Sequence, residues 1–213
     1  MNNQDFVKKL AKNGAKKTIF SPLKGGFAGS ILVAIYLFAL LGFFGLRSDF
    51  ATKIIDKQFQ FELIITLFTS FSSIYCLNYL RFPDLGEKTL IKLLPFFGFI
   101  PFATLILYQY LGYNHDLNHI NCDVPGFYCA SSIIFFALPI AAILFFTLYR
   151  GTTLNKSLCG VIIGIASGTI SYLFLRLIHA TEDMPHLFIW HFLPIMVLIT
   201  LFIFLANKII KKL

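Results

Sequence analysis

The sequence GYNHDLNHINCDVPGFYC, residues 112–129, is the longest polar interruption in a chain built mostly of apolar runs. Three hydrophobic runs precede it and three follow it. It holds two of the five histidines and two of the four cysteines, but no lysine or arginine. A segment without cationic residues between two membrane spans is typical of the side away from the cytoplasm. The stretch therefore predicts a membrane protein with an outward-facing loop at its centre.

The composition agrees with this interpretation. Of the 213 residues, 57% are hydrophobic and 13% are charged, whereas soluble domains average about 25% charged residues. Each run is close to the roughly 20 residues that cross a bilayer, and backbone polar groups in lipid must be satisfied within the segment, so each run predicts a helix. We expect an all-α integral membrane bundle of six transmembrane helices, at about 26–46, 59–80, 90–111, 127–149, 157–178 and 187–206.

The distribution of lysine and arginine predicts the orientation. Fourteen of the 18 lie on the side of the two termini and four on the opposite side, so the positive-inside rule predicts that both termini are cytoplasmic. The predicted organisation is a basic leader at 1–25, a transmembrane domain at 26–206 with outer loops at 47–58, 112–126 and 179–186, and a basic tail at 207–213.

The leader has two readings. Phe6 and Leu10 lie on one face of a short predicted helix. The pairs Ser21-Pro22 and Gly25-Gly26 are expected to break this helix before the membrane. This apolar strip is a candidate partner-binding segment that docks in a groove of another protein. The alternative is a solvated, positive flank that only fixes the topology.

The predicted fifth span carries three glycines at four-residue spacing, Gly160, Gly164 and Gly168. Small residues at this spacing share one helix face and let another backbone approach closely. The pattern predicts a packing seam within the bundle, with a homodimer seam as the alternative. Pro194 lies in the sixth span, where we expect it to kink the helix.

Histidine and cysteine residues of the outer face predict either a metal or thiol site or an ordinary loop. Thiolate and imidazole ligands together suit copper or zinc. Cys122 and Cys129 both lie in the stretch 112–129, so one interpretation is a disulfide or a reactive thiol pair. The alternative is that they are two independent buried cysteines. The spacing of the histidines matches no defined zinc motif, so an incidental solvated loop is the alternative. The candidate metal ligands are His115, His119, Cys122, Cys129 and His179.

Charged residues near the outer ends of the spans predict a structural cluster. Glu62 and Arg176 lie close to the outer surface, and Arg47 and Asp49 follow the first span. We expect an ion pair or hydrogen-bonded cluster that fixes the outer loops. The central part of each predicted span carries no charged residue, which argues against a pump or an ion-coupled transporter. The predicted structural residues of the outer face are Arg47, Asp49, Glu62, Arg176, Glu182, Asp183 and Trp190.

Several short motifs occur in an order that resembles a known family. They are Gly45-Leu46-Arg47-Ser48-Asp49 after the first span, Phe61-Glu62-Leu63 at the second, Cys129 and Arg150-Gly151 at the two ends of the fourth, Gly160, Gly164, Gly168 and Tyr172 in the fifth, and His179-Ala180-Thr181-Glu182-Asp183 with Phe188 and Trp190-His191 around the sixth. Together they resemble the NrsF family of six-span anti-sigma factors in the bacterial inner membrane.

The resemblance implies a function without catalysis. It implies that the chain sequesters an extracytoplasmic-function sigma factor at the cytoplasmic face and releases it on a periplasmic signal, in a response to heavy-metal or redox stress. One residue departs from the family pattern, since Ala180 stands where the family usually has a cysteine. Either Cys122 takes the place of that cysteine as the partner of Cys129, or this protein senses something else.

A membrane protein of another class is the alternative. It would be a redox component that exchanges electrons between thiols and quinone, or a small-molecule permease. A thiol oxidase needs a second reactive cysteine pair outside, and the sequence predicts one pair. A permease is expected to place polar residues at mid-membrane, where these spans have few.

Overall fold

The computed structural model describes residues 21–81, 89–112, 126–149, 155–180 and 182–210. Over these ranges the chain is helical and contains no strand. The elements are α1 (Pro22–Phe44), α2 (Phe50–Lys53), α3 (Lys57–Leu80), α4 (Thr89–Gly112), α5 (Gly126–Tyr149), α6 (Lys156–Ile178), α7 (Met184–His186), a π-helical turn (Leu187–Phe192) and α8 (Leu193–Ile209).

Six helices in these ranges are long and apolar enough to cross a membrane. They are α1, α3, α4, α5, α6 and the continuous segment Met184–Ile209, which comprises α7, the π-helical turn and α8. The prediction of an all-α, six-helix bundle is therefore confirmed, and each boundary lies within four residues of the predicted one.

The start of α1 differs from the expectation. Ser21 and Pro22 begin the span, four residues before the predicted start at 26, so Gly25 and Gly26 lie inside α1 and do not break the chain before the membrane. The predicted leader helix itself lies outside the described residues. The Ser21 hydroxyl accepts a hydrogen bond from the Lys24 amide at 3.4 Å, and Pro22 occupies the first turn, where its fixed φ suits a helix and its missing N–H costs nothing. The helix ends at Gly45, whose φ of 77° favours glycine.

The bundle has two ends that differ in chemistry. At the terminal end, where α1 begins and α8 ends, the Ser157 hydroxyl donates to the Asn207 side chain at 3.2 Å. At the opposite, distal end, the Arg47 amide after α1 donates to the Leu177 carbonyl near the end of α6 at 2.9 Å. Residues 45–56, 179–180 and 182–183 lie at the distal end.

The core of the bundle is built around α6. Nearly all of the apolar length of α6 is buried, whereas α1 is peripheral and little of it is buried. The glycines of α6 face α8: a Cβ on Gly160 would lie 2.5 Å from the Phe202 carbonyl oxygen, and one on Gly164 would lie 2.5 Å from the Ile199 Cα. The seam therefore lies within the bundle, and α8 of the same chain fills the face that a homodimer would have used.

Candidate functional site

A buried ion pair joins α3 to α6 at the distal end. The Glu62 carboxylate accepts hydrogen bonds from Arg176 at 2.7 Å and 3.1 Å, and from the Tyr172 hydroxyl at 2.6 Å. Glu62 and Arg176 are each 2% exposed. A charge removed from water this completely is stable only when it is paired and hydrogen-bonded, so these three side chains depend on one another.

A second group of charges surrounds Arg47. Its guanidinium is buried and donates to both oxygens of Asp49, at 2.6 Å and 2.7 Å, and to Glu182 at 2.8 Å. These charge-assisted hydrogen bonds lower the pKa of Asp49 and raise the pKa of Arg47. Arg47 thus binds the connection after α1 to the connection before the sixth span.

Glu182 joins the two groups. Its carboxylate lies 3.1 Å from Lys53 Nζ and 3.7 Å from Arg176 Nη1, in addition to its bond to Arg47. Both Arg47 and Arg176 contact the Phe59 ring, with guanidinium carbons 5.6 Å and 5.3 Å from the ring centroid. This is cation–π distance. We call the set Arg47, Asp49, Lys53, Glu62, Arg176 and Glu182 the distal charge cluster.

A thiol and two imidazoles converge beside this cluster. Cys129 in α5, His186 at the end of α7 and His191 in the π-helical turn are buried, and their potential ligand atoms lie within 4.8 Å of one another. The Cys129 Sγ is 3.4 Å from His186 Nε2. The three side chains form a compact group of soft and borderline ligands, the donors that zinc and copper prefer.

His191 is the unusual member of this group. Within the described residues neither of its ring nitrogens has a hydrogen-bond partner, although the side chain is fully buried. A buried polar group without a partner costs roughly 1–3 kcal/mol, so an imidazole in this position needs a specific physical reason.

The π-helical turn brings the two histidines together. In an α-helix, residues five apart point about 140° away from each other. Hydrogen bonds from i+5 to i, such as that from the Leu193 amide to the Phe188 carbonyl, place residues five apart on the same face instead. Pro194 explains the turn, because it lacks an N–H and its ring crowds the carbonyl of Trp190 four residues earlier.

We call Cys129, His186 and His191 the thiol–imidazole group. Tyr172 connects this group to the distal charge cluster. Its ring packs edge-on against His191, with centroids 6.0 Å apart, while its hydroxyl donates to Glu62. His186 in turn packs edge-on against His191 at 5.4 Å. A continuous set of contacts therefore runs from Cys129 to Arg176.

The other sequence-predicted residues lie as follows. Asp183 caps α7 by accepting a hydrogen bond from the His186 amide at 3.2 Å, and the Trp190 indole packs against Gly126, where a Cβ would collide with it. His179 follows α6, where burial lowers its pKa, and it is not part of the group around Cys129. The predicted ligands His115, His119 and Cys122 and the predicted partner-binding residues Phe6 and Leu10 lie outside the described residues.

The candidate metal ligands chosen from the sequence did not include His186 and His191. Their spacing of five residues fits no single face of an α-helix. The available signal was Pro194, three residues after His191, because a proline inside a span often coincides with a local change of helix type.

The fold and these polar groups define a class: a helical, multi-pass membrane protein with a charged and ligand-rich distal end. Within that class, residues 16–211 match the family model NrsF, negative regulator of sigma F. The chain belongs to the NrsF family. No curated protein and no solved structure matches it. The family description implies negative regulation of a sigma factor, a regulatory role with a sigma factor as partner.

Proposed function

We propose that this chain is an anti-sigma factor of the bacterial inner membrane. It holds an extracytoplasmic-function sigma factor at the cytoplasmic face and releases it when a metal or redox signal reaches the opposite face. The observation that carries the proposal is the match of residues 16–211, nearly the whole chain, to a family of negative regulators of sigma F.

The charge distribution supports the proposed orientation. Fourteen of the 18 lysine and arginine residues belong to the leader, the tail and the connections on the terminal side. The positive-inside rule then favours a cytoplasmic terminal end and a periplasmic distal end. In this orientation the distal charge cluster and the thiol–imidazole group face the compartment from which the signal comes.

The leader is the proposed sigma-binding segment. Phe6 and Leu10 would dock as an apolar strip in a groove of the sigma factor, with the cytoplasmic connections 81–92 and 150–156 beside them. Helix-in-groove recognition uses anchors three to four residues apart, and the spacing of these two residues meets that requirement.

Capture of the sigma factor tests this proposal. The full chain, purified from detergent-solubilised membranes of its host, is expected to carry a sigma factor of the extracytoplasmic-function class. Phe6→Ala/Leu10→Ala should recover at least about 10-fold less, since two buried anchors are lost. The matched control Lys9→Ala/Lys12→Ala alters the same segment without touching the apolar strip, and it should recover nearly as much as the unmodified chain.

Two results would contradict the proposal. Recovery of no sigma factor by the unmodified chain, with or without reductant, would refute the anti-sigma function. Equal loss in both double variants would refute the apolar strip as the docking element. Orientation is tested separately by a periplasm-active reporter fused after Asn118, which should be active, whereas one fused after Leu213 should be silent.

A further inference from the structure

We propose that Cys129, His186 and His191 together bind one thiophilic metal ion, Zn²⁺ or Cu⁺. This set differs from the ligands that the sequence predicted, because it shares only Cys129 with them. The proposal that these residues bind a metal is argued from their geometry alone. The role of that metal as the signal that releases the sigma factor rests on the proposed function.

The distances suit such an ion. Bond lengths of about 2.3 Å to sulfur and 2.0 Å to nitrogen, at tetrahedral angles, place the sulfur and a nitrogen about 3.5 Å apart. The Cys129 Sγ and His186 Nε2 are 3.4 Å apart, and all three ligand atoms lie within 4.8 Å of one another. Small rotations of the side chains, of about 1 Å at the ligand atoms, would therefore complete the coordination.

The burial of His191 points to a ligand. Its two ring nitrogens are buried and have no hydrogen-bond partner among the described residues, yet one of them lies within 4.8 Å of the Cys129 sulfur and of a ring nitrogen of His186. A metal–nitrogen bond satisfies one of these nitrogens. The π-helical turn that brings His191 beside His186 is also a feature found frequently at functional sites.

The donor set selects the kind of ion. One thiolate and two imidazoles suit Zn²⁺ and Cu⁺, whereas Mg²⁺ and Ca²⁺ take oxygen ligands. Three protein ligands complete a trigonal Cu⁺ site, and they leave a fourth position for water or another ligand on Zn²⁺. Binding forms a metal–sulfur bond as the Cys129 thiol releases its proton to water, with no change in oxidation state.

A metal ion at this site would link two helical segments of the bundle. Cys129 belongs to α5, and both histidines belong to the segment Met184–Ile209. A bond through His191 also fixes the ring against which Tyr172 packs, and Tyr172 donates to Glu62. Metal binding is therefore placed to alter the packing of the distal charge cluster.

Metal titration of the purified full chain tests the site. Detergent-solubilised protein, kept reduced, is titrated with Zn²⁺ and, in separate samples, with Cu⁺, each against a competing chelator. One ion per chain is expected. Cys129→Ser and His191→Gln should each weaken binding by at least about 100-fold, above the 10–100-fold that loss of a supporting hydrogen bond costs. The matched controls Cys159→Ser, at the terminal end, and His179→Gln, outside the group, should leave the affinity nearly unchanged.

Two further measurements separate loss of the metal site from a folding defect and from metal binding by residues 115–122. Co²⁺ bound to the unmodified chain should show a sulfur-to-metal charge-transfer band, and Cys129→Ser should lack this band. Unchanged Trp190 fluorescence in Cys129→Ser would show that the band is lost with the sulfur ligand and not because the protein is misfolded. A triple variant, His115→Gln/His119→Gln/Cys122→Ser, should retain the affinity.

Three results would overturn the site. The first is that the unmodified chain binds neither ion. The second is that Cys129→Ser and His191→Gln bind the ion as tightly as the unmodified chain does. The third is that only the triple variant loses metal affinity. None of these measurements involves a sigma factor, so failure of sigma capture leaves them intact.

Discussion

Replacing Glu62 by glutamine should destabilise the bundle far more than replacing an exposed acidic residue. The substitution keeps the size and shape of the side chain but leaves the buried Arg176 without its main counter-charge. Removing one partner of a buried ion pair costs about 3–5 kcal/mol. Glu182 remains 3.7 Å from Arg176 and is 39% exposed, so we expect the lower end, about 3 kcal/mol.

The matched control is Asp56→Asn. Asp56 pairs with Lys53 at 2.9 Å but is 41% exposed, and such surface pairs contribute about 0–1 kcal/mol. Its side chain also caps α3 by accepting from the Gln58 amide, which asparagine does equally well. For a chain of this size about 1 kcal/mol shifts Tm by 2–4 °C, so Glu62→Gln should lower Tm by about 6–12 °C and the control by less than about 4 °C.

Trp190 fluorescence provides the assay. It is the single tryptophan and lies at the distal end, so thermal unfolding of the purified chain in detergent reports on this region. The double variant Glu62→Gln/Arg176→Gln should be less destabilised than the sum of its single variants, because it removes both buried charges. A Glu62→Gln shift no larger than that of Asp56→Asn, or strict additivity in the double variant, would refute the reasoning.

Two further predictions concern packing and pH. Gly164→Ala should destabilise the bundle by about 1–3 kcal/mol, because a Cβ would lie 2.5 Å from the backbone of α8, whereas Gly42→Ala, with nothing within 4 Å, should be neutral or stabilising; equal Tm shifts would contradict this. Arg47 lowers the pKa of Asp49, so that stabilisation is present above the ordinary aspartate pKa and is lost as the pH falls below about 4. The Tm difference between the unmodified chain and Asp49→Asn should therefore shrink between pH 7 and pH 3, and a constant difference would count against the bond.

Hydropathy predicted the six long helices because each is an apolar run of about the length that a bilayer requires, which few elements of soluble domains share. Every residue of the distal charge cluster except Lys53 was also predicted to belong to one structural group, since charged side chains at span ends seek partners. Their pairing was not: Arg176 is 114 residues from Glu62, and Glu182 is 135 residues from Arg47. Sequence spacing says nothing about contacts between helices so far apart in the chain.

The thiol–imidazole group shows a different limit. The prediction took His115 and His119 because residues four apart share a face of an α-helix, and it passed over His186 and His191, which are five apart. A single π-helical turn brings residues five apart onto one face, so the argument from four-residue spacing does not apply to His186 and His191. Pattern reasoning assumes one helix geometry along a whole span, and Pro194 marks the place where this assumption fails.

The two polar groups and the leader can be joined by a physical argument. A signal changes the grip on a partner only if it binds one packing of the bundle better than another. In the proposed function, the sigma factor contacts residues that precede α1. The far end of α1 is joined to α6 by the Arg47 backbone amide and to Glu182 by the Arg47 side chain.

The 23 residues of α1 span about 34 Å as one continuous helix. Because α1 is the least buried span, its position is fixed mainly by α3 and by these distal bonds. A metal ion that shifts His191, and through Tyr172 the Glu62–Arg176 pair of α3 and α6, would therefore move the helix that carries the leader.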